Sequence, residues 1–119
     1  MINTEKLEQL LTDIPEGEFG SFLRLYFSES KANLDAVKSA VGIGDLETFN
    51  YHVHKEASSS LIFGLEEYGN YLRGIEAAIG KSVFDMARFD LQALCGLADS
   101  AHASLRAACA HAQDTSGTA

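Results

Sequence analysis

Tryptophan is absent from the 119 residues, proline occurs once and cysteine twice. A single proline leaves the backbone almost free of helix breakers. Cys95 and Cys109 stand 14 residues apart in one apolar-periodic stretch. On a single helix that is about 21 Å, too far for a disulfide. Both read as small buried side chains. Basic residues are scarce as well, 9 against 17 acidic ones, for a net charge of −8. No basic stripe exists to neutralise phosphates, so nucleic-acid binding is not expected, and anionic lipid would repel such a surface. No apolar run reaches the roughly 18 residues that suggest a membrane span. Acidic residues in "MINTEKLEQLL" stand where a signal peptide would carry its apolar stretch, so the expected location is cytoplasmic. Nowhere do β-branched and aromatic residues alternate at period two between turns, which argues against a sheet.

What is present is helical periodicity. Hydrophobic residues make up 46% and charged residues 22%, the balance of a globular domain. Leu7, Leu10, Leu11 and Ile14 recur at helical spacing, behind a cap at Asn3 or Thr4. Phe19, Phe22, Leu23, Tyr26, Leu34, Val37 and Val41 form a second stripe, broken by "GIG" at 42–44. Asp45 then stands where an N-cap belongs. Leu46, Phe49, Val53, Ala57, Ser60 and Leu61 face inward on a third helix that ends at Gly64. Tyr68, Tyr71, Leu72, Ile75 and Ile79 mark a fourth, and Leu91, Leu94, Cys95, Ala98, Leu105 and Ala108 a fifth. The expected fold is all-α: an antiparallel up-down four-helix bundle with a short N-terminal covering helix. Helices are predicted near 4–14, 18–42, 45–63, 65–80 and 84–112. Residues 1–112 form one domain, a monomer is expected, and "QDTSGTA", 113–119, reads as a disordered tail. Tyr68 and Tyr71 are assigned to the core, His102 and His111 to the surface.

"NYHVHKEASSSLIFG", 50–64, holds two histidines that helix formation does not require. At 100° per residue, His52 and His54 fall on opposite flanks of the inward stripe. They point about 200° apart and cannot share a metal ion, unlike an i,i+4 pair. The stretch resembles the signature of histidine phosphotransfer (HPt) domains, the helical carriers of two-component phosphorelays. That signature places an Asp nine residues before the active histidine, then His-x-x-Lys-Gly-Ser-Ser, and a glycine ten residues after it. Asp45, His54, Ser59, Ser60 and Gly64 stand at those places, with Phe49 and Val53 at its apolar positions. The flanking "FLRLYFSESKANLDAVKSAVGIGDLE" and "GLEEYGNYLRGIEAAIGKS" resemble the family's second and fourth helices, so the likeness runs over about 5–110. The chain departs from the pattern where Ala57 replaces the lysine and Ser58 the glycine. Counting from His52 recovers a lysine, Lys55, but loses the paired serines, the glycine and an apolar position.

The resemblance implies a phosphoryl carrier on His54, with His52 the lesser candidate. Its partner would be the receiver domain of a response regulator or hybrid sensor kinase. The receiver supplies the aspartate, the magnesium ion and most of the charge stabilisation. No cofactor or metal of the chain's own is implied. The carrier contributes an exposed imidazole on a rigid helix, and histidine's reference pKa of about 6.5 leaves such a ring largely neutral near pH 7. Lys55, on its long stem, and Ser58, one turn on from His54, are the expected phosphate-supporting residues. The alternative is a degenerate module that docks on a receiver or kinase without being phosphorylated. A self-sufficient enzyme finds little support, since no glycine-rich nucleotide loop exists to bind ATP.

Overall fold

The structure, a computed structural model, describes the backbone of residues 2–117 and the side chains of residues 2–110. It is all-α, with no strand among the described residues. Five helices follow in order: α1 Thr4–Asp13, α2 Phe19–Ile43, α3 Leu46–Ile62, α4 Glu66–Gly80 and α5 Leu91–Gly117. Helix α3 packs between α2 and α4, α5 packs against α4, and α1 lies against α3. The expected tail at 113–119 falls beyond the last described side chain.

Local chemistry explains where the helices begin and end. Asn3 caps α1, its side chain accepting from the Lys6 amide. Gly44 ends α2 in the left-handed conformation, φ 72°. Asp45 caps α3 as expected: one carboxylate oxygen accepts from the Thr48 amide at 3.1 Å, the other from its hydroxyl at 2.7 Å. These bonds hold the Asp45 carboxyl below its ordinary value. The last helix differs from expectation. It begins at Leu91, not near 84, and a 3-10 turn at Met86–Arg88 precedes it. Asp85 caps that turn through the Ala87 amide, and Asp90 accepts from Ala93 at the start of α5. Two acidic caps five residues apart cut the expected helix in two. The freed segment folds Phe84 and Phe89 onto Phe49, with ring centroids 5.3 Å apart in each case.

The core runs the length of α3. Phe49, Val53 and Ala57 are fully buried, against Tyr26, Val37 and Ala40 of α2, Leu65, Tyr68 and Leu72 around α4, and Leu94, Ala98 and Leu105 of α5. Tyr68 is core as expected and Tyr71 is half-buried. Cys109 is buried and Cys95 half-buried, both free thiols. His102 is a correction: expected at the surface, it is 9% exposed, its ring set among Tyr26, Phe27 and Tyr68. His111 lies outside the described side chains.

Gly64 ties α1 to the bundle and shows why that position is glycine. Its φ is +80°, and a Cβ there would lie 2.6 Å from the Asn3 carbonyl oxygen. The Asn3 amide donates to the Gly64 carbonyl at 2.6 Å, while the Asn3 side chain and Lys6 both reach Glu66. Gly64→Ala combines left-handed strain with a clash against backbone, and should cost about 2–4 kcal/mol. Urea denaturation measures it; a loss under about 0.5 kcal/mol would mean α1 is not docked there.

Candidate functional site

The middle of α3 presents its two histidines as the helical period requires, on opposite flanks. Val53 between them is fully buried. The His54 side chain is 58% exposed and turns toward α4. His52 is half-buried and turns toward α2, where its Nδ1 meets Asn33 Oδ1 at 2.9 Å. Burial, with the nearby Lys55 charge, pushes the His52 pKa below its ordinary value.

Two residues of α4 meet the His54 ring. Glu76 Oε2 lies 2.9 Å from His54 Nδ1. Arg73 Nη1 lies 3.1 Å from the same nitrogen and 2.9 Å from Glu76 Oε1. Arg73 Nη2 donates to Ser58 Oγ at 3.0 Å. One ring nitrogen cannot both donate to a carboxylate and accept from a guanidinium. With the proton on Nδ1, the ring donates to Glu76, and the lone pair at Nε2 is free to attack an electrophile. With the proton on Nε2, Arg73 donates to Nδ1 and the nucleophile is lost. Glu76 therefore favours the tautomer with a reactive Nε2, and Arg73 favours the other.

The expected supporting residues divide. Ser58 joins the cluster through Arg73, and its own hydroxyl proton stays available for a further acceptor. Lys55 points elsewhere, with Nζ 5.4 Å over the ring of exposed Tyr51. Ala57 is fully buried, so the place where the resemblance would set a lysine faces the core. The cation beside His54 comes instead from α4. Arg73 and Glu76 escaped the sequence reading because they lie 19 and 22 residues from His54. The available signal was Arg73–Glu76 at i,i+3, an ion pair on one face of the helix that follows.

A second polar cluster lies inside the bundle. Glu56, 1% exposed, accepts from Ser30 through a short hydrogen bond and from Tyr68 at 2.8 Å, with Asn33 Nδ2 at 3.4 Å. His102 Nε2 sits 3.0 Å from the Tyr26 hydroxyl and 4.0 Å from Glu56. Ser60, expected only to pack, is buried and hydrogen-bonded to Tyr26 at 2.8 Å. Burial pushes the Glu56 carboxyl up against the pull of its three donors, and pushes His102 down. Because the Asn33 carbonyl oxygen faces His52, the half-buried histidine joins this interior network. His54 stands apart from it.

Among the described residues no three His, Cys, Asp or Glu side chains converge to hold a metal ion, and no helix is long and apolar enough to cross a membrane. Compared with protein-family models, curated proteins and solved structures, the chain gives no match in any of the three.

Proposed function

We propose that this chain is a phosphoryl carrier of the histidine phosphotransfer type, cytoplasmic, with His54 as the acceptor. His54 Nε2 attacks the phosphorus of a receiver's aspartyl phosphate. The N–P bond forms, the acyl O–P bond breaks, and the carboxylate leaves with the electron pair. The return step reverses this onto another receiver. The receiver holds the magnesium ion. This chain holds the ring, keeps the proton on Nδ1 and meets the positive charge that the ring acquires.

One observation carries the reading. An exposed imidazole in the middle of a buried-faced helix has a carboxylate and a guanidinium from α4 at Nδ1 and, among the described residues, no hydrogen-bond partner at Nε2. An ordinary solvated histidine has no need of a carboxylate and a guanidinium from a neighbouring helix. The rival is a docking module that is never phosphorylated, and it draws on the missing lysine at Ala57. Arg73 weakens that argument by bringing a cation to the same ring.

The test is Glu76→Ala. Losing a charge-assisted hydrogen bond to Nδ1 frees Arg73 to donate there and shifts the ring to the unreactive tautomer. Transfer from a phosphorylated receiver should slow about tenfold. Thermal stability should fall by no more than about 1 kcal/mol, because Glu76 is part-buried but its partners His54 and Arg73 are open to solvent. Unchanged transfer would remove Glu76 from the mechanism.

A further inference from the structure

Resting on that reading, we propose that Arg73 binds the phosphoryl group once His54 is loaded. It would do so from α4, where Ser58 and Glu76 hold it beside the ring before loading. The bland reading of Arg73 is a surface ion pair with Glu76, three residues along the same helix. Two contacts exceed what that reading needs. Nη2 crosses to Ser58 on α3, and Nη1 lies against the His54 ring.

The donor inventory gives the physical reason. A guanidinium has five N–H groups in a fixed plane. Glu76 takes one on Nη1 and Ser58 takes one on Nη2. The other Nη1 hydrogen faces His54 Nδ1, yet in the reactive tautomer that nitrogen carries its own proton and offers no lone pair. This donor therefore lacks an acceptor in the state that does the chemistry, and a phosphoryl oxygen on the same ring would supply one. The group sits on Nε2, across the ring from Nδ1, so this long, half-exposed side chain turns from its Glu76 and Ser58 contacts to offer its N–H groups to the phosphoryl oxygens. The charges also agree. The phosphoryl group brings about two negative charges to a chain already at −8. Of the other nearby cations, Lys55 sits over Tyr51.

The experiment needs no partner protein. The full chain is loaded with phosphoramidate, a small donor whose P–N bond breaks to release ammonia as the N–P bond to the ring forms. Phosphorus NMR follows the half-life of the product, and nitrogen NMR of the unloaded protein reports the His54 tautomer. In Arg73→Gln the phosphoryl half-life should fall about tenfold, with Arg73→Lys recovering part of it. The unloaded ring should shift toward the Nδ1–H form, because the competing donor is gone. A shorter half-life together with more of the reactive tautomer is a pairing that general loosening of the fold would not produce. Equal half-lives in wild type and Arg73→Gln, with both loaded on His54, overturn the role of Arg73 and leave the carrier reading standing. A wild type that takes no more phosphate than His54→Gln overturns the carrier reading and this proposal with it.

Discussion

His54→Gln should abolish phosphate transfer from a cognate phosphorylated receiver domain, while His52→Gln leaves most of it. Glutamine is a good helix former, and both positions lie on the flanks of α3, so neither change should unfold the protein. The two rings differ in surroundings. His54 is more than half exposed, with Glu76 on Nδ1 and Arg73 at hand. His52 is half-buried and tied through Asn33 to the interior cluster around Glu56. Burial disfavours the positive charge that an imidazole acquires as it is phosphorylated. Radiolabelled transfer on a gel measures both variants. Transfer retained in His54→Gln and lost in His52→Gln would move the site to the alternative register, where Lys55 is the paired cation. Lys55 does act electrostatically on His52.

The second large effect concerns Ala57. The sequence likeness suggests that a lysine here would restore a missing cation next to the phosphoryl group. The structure reverses that expectation. Ala57 is 0% exposed, one turn from Val53 and Ser60 on the buried face of α3. Ala57→Lys would force an ammonium and its stem into a packed core, and should cost about 3 kcal/mol or more. Urea denaturation measures the loss. A change below about 1 kcal/mol would mean that α3 is rotated from the orientation described, with a different face toward solvent.

What could be read from the sequence follows the range of each signal. Stripes of period 3.6 located α1 to α4 to within a few residues, and Asp45 announced its cap because capping is local chemistry. The start of α5 was misplaced because Phe84, Met86, Ala87, Phe89 and Leu91 are parted only by single polar residues, leaving no glycine or polar stretch to mark a break. Only the paired caps at Asp85 and Asp90 show that the chain turns there first. Period identifies a buried face but not which polar groups on it find partners. Glu56 lies on the inward side between Val53 and Ala57, opposite Ser30 and Asn33 on α2. The members of that polar cluster come from four helices, so no single stretch of sequence displays it. The same limit applies at the candidate site. His54 could be singled out by spacing, whereas Arg73 and Glu76 reach it only because α4 packs beside α3. Sequence likeness directed attention to Ala57, on the same helix, where the cation is not.

The most direct test of the carrier account is to map the phosphate itself. The full chain is incubated with a panel of phosphorylated receiver domains from the same genome, and acid-labile phosphate is located by mass spectrometry and nitrogen–phosphorus NMR. The account predicts one phosphoryl group, on His54, bonded through Nε2, with the proton kept at Nδ1 facing Glu76. Phosphate on His52, or receivers that bind while neither histidine is phosphorylated, would contradict it.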